Sequence, residues 1–372
     1  MRKKLDILYV THDSLLEGIG MSQIVPVLIG LSKYGWNVGV ISCEKNEDTK
    51  VLREALFDAG VKWKILGFGK RGALGGLGRL LRITVSLPPA RAHHCRGDLA
   101  AVACILRKRN NILWDVRGLW IDQKIVIGSI SNNPAVIWFA RKLEWIASLK
   151  ASTVTTLTKA VYPILKRRNP QITDFHEVIP TCTDLKKFSF ESKLPDRINL
   201  LLSGVFNDYY DLPATRNFIA EFKRNSQITV TWCHGHEASR SVLGVGEDMI
   251  KILKQDQMQP EIASASFGLA ICKKNTGDSL AGVMPTKIAE FLAVGRPVVV
   301  SQGVGDLDEL LLSTRTGVVI GEDTSLAIHE LLQLLGDPKT PERCRALAEK
   351  HFSMGKAIES YNKIFMRLLE RN

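Results

Sequence analysis

The chain has 372 residues, with 50 Lys and Arg against 38 Asp and Glu, a formal charge of +12, 45% hydrophobic and 24% charged residues. These values exclude a wholly disordered chain, a collagen-like repeat and a disulfide scaffold, and at roughly 100–200 residues per domain they imply two or three domains. The 7 Cys are odd in number, scattered and without a C-x-x-C pair, which reads as reduced, mostly buried thiols in a cytosolic protein.

No apolar run approaches the length of a membrane-spanning helix. Met1-Arg2-Lys3-Lys4 is basic, but the apolar stretch after it is short and runs into Thr11-His12-Asp13. It reads as a first strand rather than a signal peptide. Strands are then expected at Ile7–Thr11, Val38–Cys43, Val61–Leu66, Ala90–His93, Ile112–Asp115, Thr153–Leu157 and Glu177–Ile179. Amphipathic helices lie between them at Ser22–Tyr34, Thr49–Ala59, Asp98–Lys108, Ala135–Leu149 and Lys159–Lys166. Alternation of apolar strands with helices predicts a parallel, doubly wound α/β sheet.

The second half repeats the scheme. Strands are expected at Asn199–Ser203, Ile228–Cys233, Phe267–Cys272, Pro297–Ser301 and Gly317–Ile320. Helices are expected at Pro213–Lys223, Pro260–Ser264, Pro285–Val294, Asp306–Leu312 and Ser325–Leu335, and two more, Pro341–Phe352 and Lys356–Glu370, close the chain. The polar stretch from Pro180 to Pro195 reads as a linker. The expected organisation is a Rossmann-like domain over 1–184, a second over 185–350, and a closing segment over 351–372. Ligands of such sheets bind at the carboxyl ends of the strands, so the two edges are expected to face each other across a cleft.

Two loops carry the chemistry. Gly18-Ile19-Gly20-Met21-Ser22-Gln23 sits at the first strand-to-helix turn, where glycines let backbone N–H groups approach an anion. The third position of a dinucleotide fingerprint is Gln23 instead of glycine, so a nicotinamide site is a poor reading, and a tight turn capped by Ser22 is the alternative. Gly282-Val283-Met284-Pro285-Thr286-Lys287-Ile288-Ala289-Glu290 is a small-residue loop running into a helix opened by proline. A diphosphate at that helix start would meet Thr286 and Lys287, with Glu290 one turn further along to accept the two hydroxyls of a ribose. An exposed Lys287–Glu290 pair is the alternative.

The stretch Gly282–Val300 resembles the nucleotide-sugar motif of glycosyltransferase family 4, retaining enzymes of the GT-B fold. Gly18–Pro26 is similar to the G-x-S-Q-V-x-P element of a bacterial subgroup. Trp114–Asp122 resembles its D-x-R-G-x-W-x-D element, Val178–Leu185 its V-I-P-x-C-x-D-L junction, and Gln302–Asp306 its G-V-G-D turn. The closing helices, with His351-Phe352-Ser353 and Tyr361, are similar to those that return to the first domain in this family.

The resemblance implies a retaining, hexosyltransferase-type enzyme moving a sugar from a nucleotide diphosphate sugar to a glycan or lipid-linked acceptor of the cell surface. Glu290 matches the ribose-binding second Glu of the family's E-x7-E motif, whereas the first falls on Gly282. Donor contacts are expected from Gly18, Gly20, Lys273, Val283, Met284, Pro285, Thr286, Lys287 and Glu290. The Arg and Lys that many members place after the first strand of this domain are missing from Ser203–Asp208, leaving Lys287, Lys273 or Arg216 to neutralise the diphosphate. On the first domain, His94, Asp115 and Arg117 follow the fourth and fifth strands and are expected at the reaction centre; a buried Asp–Arg pair holding the loop is the alternative. No Asp-x-Asp element of the metal-dependent transferases is identified, so neither a metal nor a cofactor beyond the donor is expected.

Retention by front-face attack, with the leaving diphosphate as base, needs no paired carboxylates of the hydrolase kind. The glycine-rich, basic Lys70–Arg82 reads as a flexible loop leading into a helix, or as a surface for an acceptor or an anionic membrane, where each Lys or Arg is worth about 1 kcal/mol. A cytoplasmic protein, peripheral on the inner membrane face, is expected. Nucleic acid is not, for lack of a recognisable binding motif. The rival readings are a GT-B nucleotide-sugar epimerase or hydrolase and a non-catalytic glycan-binding partner.

Overall fold

Strands that are apolar on both faces need helices on both faces, and the chain satisfies this twice. The computed structural model describes residues 4–45, 49–128, 133–204, 209–234, 249–253, 257–274 and 276–370. The chain divides into two units, residues 1–180 with 354–372, and residues 181–353.

The first unit begins with β1 (Leu5–Val10), a π-helical turn (Gly20–Ile24), α1 (Val25–Lys33), β2 (Val38–Glu44), α2 (Lys50–Asp58), β3 (Lys62–Gly67) and α3 (Gly72–Ser86). It continues with β4 (Ala90–Arg96), α4 (Asp98–Leu106), β5 (Ile112–Val116), α5 (Trp120–Val126), α6 (Pro134–Lys150), β6 (Thr153–Thr156), α7 (Val161–Arg168) and β7 (His176–Val178). All pairings are parallel, in the order β3-β2-β1-β4-β5-β6-β7. Every residue of β2 and β5 is buried, as inner strands require, while edge strand β3 exposes Lys62 and Lys64, which blunt it against further pairing.

The second unit runs β8 (Asn199–Ser203), α8 (Leu212–Asn225), β9 (Thr229–His234), β10 (Met249–Ile252), α9 (Met258–Ser264), β11 (Phe267–Ala270), a 3-10 turn (Gly277–Gly282) and α10 (Thr286–Val294). Then follow β12 (Val298–Ser301), α11 (Leu307–Thr314), β13 (Gly317–Ile320), α12 (Thr324–Gly336) and α13 (Thr340–His351). Its sheet is also parallel, in the order β10-β9-β8-β11-β12-β13. Phe218, Phe222, Trp232, Phe267 and Leu331 fill its core.

The last helix, α14 (Met354–Glu370), belongs to the first unit. Ala357, Tyr361, Ile364, Phe365 and Leu368 are buried at helical spacing, giving it one apolar face. It packs on α1 where Gly30 leaves room: a Cβ there would lie 2.6 Å from the Ile358 side chain. Trp36 Nε1 donates to Asn362 Oδ1 at 2.7 Å beside this contact. The two segments that join the units pair inside the second one: Thr183 bridges Ser353, and its N–H donates to Phe352 O at 2.8 Å. Arg345 ties down the outgoing segment through the carbonyls of Phe188, Ala293 and Leu185.

Three elements differ from expectation. The glycine-rich stretch expected as a loop is helical from Gly72, because Arg79 and Arg82 turn inward and donate to the carbonyls of Lys70 and Phe68. The Arg79 guanidinium also lies 4.2 Å from the Phe68 ring centroid, and only glycine fits at position 75, where a Cβ would strike Lys70 O. Tertiary contacts here override poor helix propensity. Helix α5 and edge strand β10 are additional; Asp122 of α5 is fixed by Arg141 at 2.6 Å and Arg168 at 3.1 Å.

Gly30→Leu should overpack the α1–α14 contact and destabilise the first unit by about 1–3 kcal/mol. Urea unfolding should show this, with earlier proteolysis within α14; an unchanged profile would mean that α14 is not held by this contact.

Candidate functional site

In the second unit, α10 is delivered to the carboxyl end of the sheet by close packing. Gly268 of β11 has no side chain, and the Phe291 ring occupies the space 2.6 Å from where a Cβ would lie. Gly295 ends the helix in the left-handed conformation, φ 92°, and buried Arg296 donates to Glu191 O at 3.1 Å and Ala263 O at 2.7 Å. At the other end Pro285 is extended, φ −65° and ψ 130°, and Thr181 Oγ1 donates to Met284 O at 2.8 Å, fixing the entering loop. Within the first turn the Ile288 N–H donates to Pro285 O at 3.1 Å, and the positive end of a helix start favours an anion.

Lys287 and Glu290 are both buried, 9% and 6% exposed. Lys287 Nζ lies 4.4 Å from the Tyr210 ring centroid and close to Gly204, which ends β8 with φ +83°. Burial lowers the Lys287 amine to about 8, against the opposing influence of Cys272 and Glu290. Tyr210 is held by a bridge to Cys272, and the Tyr209 hydroxyl lies 2.9 Å from Ser279 Oγ. Lys273 N–H donates to Tyr209 O at 3.0 Å. Met284 is buried, and Val283, Pro285 and Thr286 are half-buried. This unit therefore gathers Gly204, Tyr210, Lys287, Glu290 and the loop 283–286 at one edge. Arg216 is exposed on α8, and Val205-Phe206-Asn207-Asp208 lie outside the described residues.

The G-V-G-D turn packs on the same loop: Gly305 N–H donates to Leu280 O at 3.1 Å, and Gly303 takes φ 82°. An Asp-x-Asp spacing, Asp306-Leu307-Asp308, begins at its last residue, against the expectation that the chain has none. Asp308 is engaged locally, accepting the Gly303 N–H at 2.9 Å, and Leu307 is buried. Among the described residues no group of three or more His, Cys, Asp or Glu side chains is arranged to hold a metal ion.

In the first unit His94, Asp115 and Arg117 do come together, but in the interior. His94 is 0% and Asp115 1% exposed. Asp115 Oδ2 accepts from Tyr361 of α14 at 3.3 Å and lies 3.1 Å from His94 Nε2; its Oδ1 accepts from Thr155 at 2.9 Å and is 3.6 Å from Arg117. Arg117 also donates to Ile179 O at 3.0 Å. Burial raises the Asp115 carboxyl, but Arg117 and the His94 hydrogen bond overcome it and hold the group well below the carboxylate range. Burial lowers the His94 imidazole despite Asp115, keeping it neutral near pH 7. His94, Asp115 and Arg117 thus form a closed network under α14, the buried arrangement that was the alternative to a place at the reaction centre.

The first loop is likewise organised by its own contacts. A Cβ at Gly20 would strike the Ser14 and Leu15 backbone, and the Glu44 carboxylate accepts from Ser14 Oγ and from Leu15 N–H at 2.9 Å. Glu44 is therefore engaged by the loop. Gly18 is exposed with open space around it, its carbonyl accepting from Ser22 Oγ at 2.6 Å. An accessible polar group at this edge, absent from the sequence expectations, is Asp13. Asp13 is 39% exposed, with its carboxylate 3.1 Å from Arg96 Nε and 3.6 Å from His12 Nε2. The available signal was position, since both His12 and Asp13 directly follow β1.

No family model matches the sequence, and no curated protein matches it closely enough to count as a relative. Solved structures match over the full length. Sucrose-phosphate synthase from Thermosynechococcus elongatus superposes with a TM-score of 0.71 at 14% identity, covering 99% of this chain and 100% of the other. A glycosyltransferase from Rickettsia africae ESF-5 gives 0.69 at 15%, covering 100% of both. HepE from Anabaena in complex with UDP-glucose gives 0.70 at 14%, covering 99% and 100%. At such identities the likeness is one of fold, and the fold is GT-B.

Asp115→Ala should destabilise the first unit by about 3–5 kcal/mol, because His94, Arg117, Thr155 and Tyr361 all lose a buried partner. Chemical unfolding measures this. Unchanged stability with lost activity would instead make Asp115 a reacting group.

Proposed function

We propose that this protein is a retaining glycosyltransferase of family 4, moving a sugar from a nucleotide diphosphate sugar to a glycan or lipid-linked acceptor in cell-surface polysaccharide or glycolipid synthesis. The observation that carries this reading is the start of α10, where Lys287 and Glu290 are buried side by side at the carboxyl edge of a parallel sheet. HepE, similar in fold, is described in complex with UDP-glucose, which supports a donor of that kind here.

On this reading residues 185–350 hold the donor and 1–184 serve the acceptor. Main-chain N–H groups of Met284 and Thr286 meet the diphosphate, and the Lys287 ammonium neutralises it. Glu290, one turn deeper, accepts the ribose hydroxyls. Positioning and charge stabilisation at the leaving diphosphate supply the catalysis, the acceptor hydroxyl attacking from the face the nucleotide leaves. Its proton passes to the departing diphosphate, so no enzyme base is required, and the family reading implies no divalent metal. The expected place of work is the cytoplasmic side of an anionic membrane, met around Lys70–Arg82. Gly282, where the family places a sugar-holding Glu, favours a second reading, a glycan-binding partner without turnover.

Glu290→Ala removes two hydrogen bonds to a charged group, each worth about 1.5–3 kcal/mol. Calorimetry with nucleotide diphosphates and their sugars should show binding weakened about 100-fold or more, with the fold intact; unchanged affinity would refute the role. Because the Lys287 amine lies at about 8 in the free protein, an arriving anion favours its charged form. Binding at pH 8–9 should therefore take up a proton, seen as a buffer-dependent enthalpy that Lys287→Met abolishes. Buffer-independent binding would remove Lys287 from the diphosphate.

A further inference from the structure

The outer faces of α3 and α6 leave large apolar side chains in solvent. On α3, Leu74 is 85% exposed, Leu77 42%, Leu81 56% and Val85 76%. These positions, three or four residues apart, form one stripe along the helix. On α6, Trp138 is 67% exposed, Phe139 44% and Trp145 40%. Trp138 and Trp145 are two turns apart on one line, with Lys142 between them and its Nζ 4.0 Å from the Trp145 ring centroid. Both helices pack against α4, whose residues Leu99–Cys104 are all buried. Strands β3, β4, β5 and β6 follow one another rightward across the sheet, so right-handed crossovers place α3, α4 and α6 in one layer. The two stripes thus belong to one side of the unit.

Charge selects the occupant. Between Asp58 and Asp98 the chain carries eight Lys or Arg and no Asp or Glu. Arg79 and Arg82 are turned inward, Arg96 is buried against Asp13 and Arg91 pairs with Asp6, but Lys70 and Arg71 are exposed beside the α3 stripe. On α6 the acidic residue Glu144 is buried against Arg141 and Arg168, leaving Lys142 and Lys150 as the outward charges. Leucines on α3, tryptophans on α6 across α4 from it, and cations around both match the boundary between headgroups and acyl chains of an anionic bilayer.

We infer that α3 and α6 form a two-helix wedge by which this protein inserts into the surface of an anionic membrane. This deepens the proposed function by turning a basic contact at Lys70–Arg82 into apolar insertion by two helices. It stands on the first unit alone. Apolar contact holds the protein in place, and the cations choose the lipid. Raising the salt concentration therefore weakens binding to anionic bilayers without abolishing it.

Flotation of the full chain tests this, using phosphatidylcholine vesicles with and without phosphatidylglycerol and no nucleotide or sugar. The wild type should float with the phosphatidylglycerol vesicles. Leu77→Glu with Leu81→Glu, and separately Trp138→Ser with Trp145→Ser, should each lower partitioning at least tenfold. Phe57→Ser, on exposed α2, should leave it unchanged. All altered side chains are exposed, so thermal melting should match the wild type. Wild-type binding by either double variant would overturn the wedge. So would a lipid-free dimer that the α3 changes dissociate, since the stripe would then meet a second copy. As no donor is present, these outcomes are independent of whether nucleotide sugars bind.

Discussion

A carboxylate shut away from water must be matched where it lies, and at Asp115 the match needs segments far apart in the chain. Its partners come from β4, from Arg117 just beyond β5, from β6 and from Tyr361 of α14, 246 residues away in sequence. Leaving any of these groups unpaired in the interior costs as much as a large fraction of a domain's stability. The first unit therefore cannot be finished until the last helix returns to it. From this follow the two crossings between the units, the pairing of Thr183 with Ser353 where they run together, and the second unit's place as an insertion between residues 180 and 354.

The second unit solves a different problem, holding a helix start against the carboxyl edge of a sheet. Gly268 admits Phe291, Gly295 stops the helix, and Arg296 fastens the turn beyond it. With the helix fixed, Lys287 is buried under Tyr210 and its amine is drawn down to about 8. A cation kept uncomfortable in this way gains from an anion beside it. The proposed donor chemistry rests on that electrostatic bias rather than on a reactive side chain.

Much of this was legible in the sequence. Strands β8 and β13 fall on their expected residues, Asn199–Ser203 and Gly317–Ile320, because short apolar runs bounded by turns leave little choice. Helix α10 was readable from Pro285 and Gly295, its start and stop signals. Helix α3 was not, since its glycines argue against a helix and the arginines that rescue it act through loop carbonyls. His94, Asp115 and Arg117 were found as a group, and the resemblance of the closing helices implied their return to the first domain, but the hydrogen bond from Tyr361 that closes the network depends on tertiary packing. The exposed Asp13 was missed because an acidic residue after a strand has no signature beyond its position. The outward stripe of α3 is plain only once the segment is known to be helical.

The central claim is that the edge built by Gly204, Tyr210, Lys287 and Glu290 binds a nucleotide diphosphate. Thermal unfolding of the full chain across a panel of nucleoside diphosphates and their sugar conjugates tests it most directly, since a ligand of the native state raises apparent stability. The account predicts that at least one base raises the melting temperature in a concentration-dependent manner, and that inorganic phosphate at equal concentration does not reproduce the shift. A flat response across the whole panel would contradict it.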